Sequence, residues 1–183
     1  MNGPEDDDQT TQALAMLADE HRNAERLFAE ALRIAGDPAA LQPVVERLCT
    51  ALSEHAEIEE EFFYPALRGD DADDLIEEAL VEHHVAKQLI ADLRSMDADD
   101  ERYRATVTVL QEYVRHHVDE EENVIFPQVL QAGADLEPLH EAMSARAEAT
   151  AAHDTPDRDA VAAGRRRTRN VRTDRRPTAR SAR

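Results

Sequence analysis

The stretch His55-Ala56-Glu57-Ile58-Glu59-Glu60-Glu61-Phe62-Phe63-Tyr64-Pro65 returns 62 residues later as His117-Val118-Asp119-Glu120-Glu121-Glu122-Asn123-Val124-Ile125-Phe126-Pro127. Glu20-His21 returns at the same offset as Glu82-His83. One offset for this many features points to two copies of a helical hairpin related by a pseudo-twofold axis. In each copy His and Glu stand at i and i+4. On a helix that spacing puts imidazole and carboxylate on one face, about 6 Å apart along the axis.

Working outward, apolar residues recur in an alternating three-four step through four segments. The first reads Leu14, Leu17, His21, Ala24, Phe28, Ala31, Ala35, and the second Leu41, Val45, Leu48, Leu52, His55, Glu59, Phe62, Ala66. The third reads Ile76, Ala79, His83, Ala86, Ile90, Leu93, and the fourth Val107, Leu110, Val114, His117, Glu121, Val124. Breaks fall at Gly36-Asp37-Pro38, Arg68-Gly69-Asp70-Asp71 and Met96-Asp97-Ala98-Asp99-Asp100, where Asp supplies helix caps. Such short connections make sequential helices antiparallel neighbours. The expected fold is therefore all-α, an up-down-up-down antiparallel four-helix bundle over residues 10–132 with a flexible C-terminal extension. Residues 1–9 are expected to be a disordered acidic N-terminus, residues 133–153 to add a short helix, and residues 154–183 to form a disordered Arg-rich tail. Pro65 and Pro127 each remove a backbone donor and should kink or end their helices.

Composition agrees. The chain has 183 residues, 4% aromatic, with 5 Gly and no Trp, a poor basis for a sandwich, barrel or glycine-looped nucleotide fold. No apolar run approaches the roughly 20 residues of a membrane span, and the acidic start is no secretory signal. A single cysteine, Cys49, makes neither an internal disulfide nor a thiolate metal site and reads as an inert buried thiol. A cytoplasmic monomer is the expectation. Residues 1–163 hold 12 basic against 39 acidic side chains, a formal −27, whereas the last twenty residues carry +8. The acidic body repels phosphate and so speaks against nucleic-acid binding, while the tail's partner stays open.

The chemistry lies in six polar residues on the apolar seams: His21, His55, Glu59, His83, His117 and Glu121. A buried ionised carboxylate is costly unless it is paired or coordinates a cation. Residue counts from each turn place the four histidines at similar depth in the bundle. Six N/O ligands with shared carboxylates suit two iron ions. Two Glu-x-x-His motifs of the ferritin kind are absent, as is Cys-x-x-Cys-His, and structural zinc favours four ligands with Cys. His84 and His116 are rotated about 100° from the seams and read as flanking, with His84 and Glu60 as the further candidates for the ligand set. Tyr64 and Tyr113 lie near the seams, where packing or hydrogen bonding to a bound ligand is open. His140 and His153 read as solvated.

One His on the first helix, His-x-x-x-Glu on the second, one His on the third and His-x-x-x-Glu with a following Phe-Pro on the fourth resembles the hemerythrin-like (HHE cation-binding) domain family over residues 10–131. The resemblance implies a non-haem di-iron centre open to dioxygen, peroxide or nitric oxide. It makes His21 and His83 terminal ligands, His55 and His117 further ligands, and Glu59 and Glu121 bridging or chelating groups. Lys87 stands where the invertebrate oxygen carriers place a second His, and Glu121 where they place Asp, so the chain looks more like the bacterial members. Weak peroxide- or nitric-oxide-directed oxidoreductase activity is compatible with this resemblance. The alternative is an iron- or oxygen-responsive sensor acting through a partner.

Overall fold

The computed structural model describes residues 4–67 and 73–153, and every regular element among them is helical. The chain runs α1 (Pro4–Arg33), α2 (Pro38–Ile58), a π-helical turn π1 (Glu59–Phe63), α3 (Tyr64–Leu67), α4 (Asp73–Ser95) and α5 (Tyr103–Glu120). A second π-helical turn, π2 (Glu121–Ile125), α6 (Phe126–Ala132) and α7 (Glu137–His153) follow. Met1–Ala145 forms one compact unit. The second, Arg146–Arg183, is described only through the end of α7. The expected tail, residues 154–183, lies outside the described residues.

Local chemistry sets the helix ends. The Ala40 backbone N–H donates to the Asp37 side chain at 3.2 Å with Pro38 opening α2, a cap contributing about 1 kcal/mol. Gly133 closes α6 at φ 67°, its N–H donating to the Val129 carbonyl. Helix α1 starts inside the acidic segment expected to be disordered, since Pro4–Gln9 are already helical. Beyond α6 the chain forms α7 (Glu137–His153), whose Leu139 and Met143 are buried.

Helix α1 packs on α2 and α5, while α4 packs on α5 and α2. His21 meets His55 and Glu30 meets Arg47, so residue numbers rise along α1 as they fall along α2, and the pair is antiparallel. The apolar interior forms two clusters. One gathers Leu17, Phe63, Tyr64, Ile76, Ile125, Leu136 and Leu139; the other gathers Phe28, Leu48, Leu52, Ile90, Val107 and Leu110. Five of the six polar seam residues fall between the two clusters in sequence, as His21 does between Leu17 and Ala24, while Glu59 directly follows Ile58 of the first cluster.

The π turns correct the three-four pattern. Phe63 and Ile125 are buried where the seam called for Phe62 and Val124, and Val124 is 40% exposed. Each π turn carries one extra residue, so the inward face advances by one position beyond Glu59 and Glu121. The prolines are the physical reason. Pro65 and Pro127 offer no N–H, and their rings would clash with the carbonyl four residues back. Instead Tyr64 N–H donates to the Glu59 carbonyl and Phe126 N–H to the Glu121 carbonyl, both five residues back. The helices widen and continue; they do not end at the prolines.

Candidate metal centre

Helices α1, α2, α4 and α5 each aim one imidazole inward, and the two π turns begin with the two glutamates. His21, His55, His83 and His117 are buried, and Glu59 and Glu121 have no solvent exposure at all. The structure thus brings all six seam residues together. His21 Nε2 lies 3.0 Å from His55 Nε2, and His83 Nε2 lies 3.0 Å from His117 Nε2. Glu59 stands between the pairs, with Oε1 at 3.1 Å from His55 Nε2 and Oε2 at 3.3 Å from His83 Nε2. Glu121 Oε2 is 3.3 Å from His21 Nε2 and 3.7 Å from His117 Nε2. The Tyr64 hydroxyl donates to Glu121 Oε1 at 2.9 Å and also lies 3.3 Å from His83 Nε2.

A second ring of carboxylates orients the imidazoles. His21 Nδ1 meets Glu122 at 2.8 Å, His55 Nδ1 meets Glu20 at 2.9 Å, His83 Nδ1 meets Glu60 at 3.0 Å and His117 Nδ1 meets Glu82 at 2.8 Å. Each carboxylate accepts from an Nδ1–H, so that once the second proton is gone the corresponding Nε2 is a lone-pair donor directed inward. The 62-residue repeat relates Glu20 to Glu82 and Glu60 to Glu122, so the outer ring obeys the same pseudo-twofold axis. The sequence reading names Glu60 only as a further candidate ligand and gives Glu122, Glu20 and Glu82 no role at the centre. The signal was present: each is adjacent to a seam residue, and a one-residue step turns a side chain about 100°, toward the neighbouring helix.

The donor set fits a cation. Glu59 Oε1, Glu59 Oε2 and Glu121 Oε2 are buried with no hydrogen-bond donor aimed at them. Nearby imidazole nitrogens are close enough but misaligned, so the oxygens and nitrogens face a shared space and not one another. Two groups of atoms close enough to hold an ion result: His21, His55, Glu59 and Glu121, and then Glu59, His83 and His117. Glu59 belongs to both. Near the surface, Glu82, His116 and Glu120 form a third, more open group.

Without a cation, protons neutralise part of this charge. Burial opposes charge on His55, but the Glu59 and Glu20 carboxylates outweigh it and push its pKa up to about 10. His117 is raised in the same way, burial being overcome by Glu121 and Glu82. Burial also resists ionisation of Glu59, yet His55 and His83 hold it well below the ordinary carboxylate range. Burial, together with the Glu59 and Glu121 charges, raises Tyr64 far above a normal phenol, so its hydroxyl keeps its proton and acts as a donor.

Other singled-out residues lie elsewhere. His84 is exposed, and so are Tyr113 and His116. His140 is half-buried. Cys49 is buried, and desolvation raises its thiol to about 11, which keeps it unreactive. Among the described residues no helix is long and apolar enough to cross a membrane.

The family described as the Hemerythrin HHE cation binding domain matches residues 12–129. Among curated proteins, a DNA nickase from Nostoc sp. (strain PCC 7120) is 28% identical over 107 residues, which is 58% of this chain and 30% of that protein. The chain thus spans less than a third of that relative's length. No solved structure matches it.

Proposed function

The chain belongs to the hemerythrin HHE cation-binding domain family, and from that premise we propose that it is a non-haem di-iron protein that binds or processes dioxygen, peroxide or nitric oxide. Its helices are read as an up-down-up-down antiparallel four-helix bundle, with His21, His55, Glu59, His83, His117 and Glu121 as the ligands. One observation carries this reading: four inward imidazole nitrogens and three donorless carboxylate oxygens share one buried space. Unpaired buried carboxylates cost several kcal/mol, roughly, unless a cation compensates. Imidazole with carboxylate suits iron among the available metals.

Iron held there would supply one- or two-electron exchange with a small oxygen or nitrogen ligand. The chain supplies the setting. Glu59, with one oxygen toward each histidine pair, is placed to hold two cations jointly. The outer carboxylates fix each imidazole's tautomer and increase its basicity. The apolar clusters exclude water, which strengthens every electrostatic contact inside. The Tyr64 hydroxyl is a proton-bearing donor at the edge of the His83/His117 pair.

Anaerobic loading with Fe(II) tests this directly. Two irons per chain are expected, with a near-ultraviolet charge-transfer band appearing on exposure to air, peroxide or nitric oxide. Replacing His55 by Ala should lower the stoichiometry to about one, since His83 and His117 remain; Glu59→Ala should reduce it further by removing the shared carboxylate. Full two-iron loading in both variants, or a wild-type protein that takes up no iron, would refute the assignment.

A further inference from the structure

Beside the centre the pseudo-twofold repeat is broken where Glu25 corresponds to Lys87. Lys87 is the chain's only lysine, and its ammonium donates to both oxygens of Glu60, at 2.6 and 2.7 Å. Glu60 Oε1 also accepts from His83 Nδ1 at 3.0 Å. One oxygen thus serves the ligand imidazole and the lysine at once. In the other half Glu122 holds His21 at 2.8 Å with no lysine on it, because the repeat places Glu25 opposite Lys87.

Resting on the two-cation reading above, we propose that Lys87, a positioning residue acting through Glu60 and His83, makes the two cation positions unequal. The His21/His55 position fills first, and the His83/His117 position fills second and more weakly. Two physical effects act in the same direction. A carboxylate accepting from Nδ1–H raises the electron density that the opposite nitrogen offers a metal, and a lysine on that carboxylate withdraws part of it. The ammonium also brings a positive charge toward one cation position and not the other. The ligand sets agree independently, because four donors converge around His21 and His55 but three around His83 and His117. Glu121 leans the same way, its Oε2 being nearer His21 than His117.

The competing account is that Lys87 only holds Glu60 in place, in which case removing it would loosen His83 and weaken the second position. Glu122 argues against that, since it stays on His21 without such help. The test is a Co(II) titration of the full chain, followed by visible absorption and calorimetry. A shared His116→Ala background removes the exposed third group. Two binding steps separated by tenfold or more in affinity are expected, on the scale that outer hydrogen bonds to metal ligands usually command. Lys87→Met, with Lys87→Gln as a second variant, should tighten the second step by about tenfold and leave the first unchanged. Glu25→Lys should weaken the first step instead. Two equal steps in the parent, or a second step weakened by Lys87→Met, would overturn the proposal while leaving the two-cation reading intact. Fewer than two cobalt ions at saturation would overturn both.

Discussion

At the level of single residues, Tyr64 shows how a two-copy sequence can acquire an asymmetric centre. Its repeat counterpart is Phe126, whose ring stacks on His21 at 6.1 Å. Tyr64 instead donates to Glu121 Oε1, the one oxygen of the two buried glutamates that has a proton aimed at it. Phenylalanine is therefore sterically at home at position 64, and Tyr64→Phe isolates the hydroxyl. Without it Glu121 loses its last donor, and the cation-free protein should lose about 1–3 kcal/mol in urea unfolding. Cation binding compensates the same oxygens, so the loss should shrink in loaded protein. An equal loss in both states would mean the hydroxyl contributes packing alone. The six seam residues were legible because polar groups on an apolar stripe violate the pattern around them. Glu20, Glu60, Glu82 and Glu122 were harder to see, since acids beside a seam conform to an ordinary solvated face. Their roles appear only when neighbouring helices bring the second imidazole nitrogen to them.

At the level of elements, the four long segments and most of their boundaries followed from periodicity and from Asp37-type caps. The π turns did not, because a three-four step continues smoothly through Phe62 and Val124 when only apolar character is read. Pro65 and Pro127 were the available signal, but a proline is compatible with a kink, a stop or a widened turn; packing of Phe63 and Ile125 decides among them. The extra residue in π1 can be removed by deleting exposed Glu61. That deletion returns the segment to regular α-helix while keeping Phe63 and Leu67 on the inward face. It also forces Pro65 against the carbonyl four residues back, a cost of about 3 kcal/mol. Adding Pro65→Ala to the deletion should recover most of that loss in a denaturant titration. If the proline substitution restores nothing, then the π turn exists for another reason than accommodating the ring.

At the level of the whole molecule, folding and cation binding are linked through the protons that share the centre. His55 rises from 6.5 to about 10 on folding, so its stabilising contribution is complete below pH 6.5 and is lost as pH climbs through 10. His117 shifts in the same direction. Glu59 is depressed, so its contribution is present above the unfolded value of 4.5 and is lost as pH falls toward its folded value. Cation-free protein should thus be most stable between pH 4.5 and 6.5 and should weaken on the alkaline side. A bound cation takes the place of those histidine protons, so its affinity rises as they leave, and the stability it adds follows the affinity. The acidic body, at a formal −27 over residues 1–163, adds self-repulsion to loaded and stripped protein alike in kind, and comparing the two removes most of it. The informative quantity is therefore their difference in melting temperature, measured with Co(II) and with chelator at about pH 6 and about pH 9. That difference should widen at the higher pH. A constant difference would mean that no proton is displaced when the cation enters, and that the imidazoles carry none to begin with.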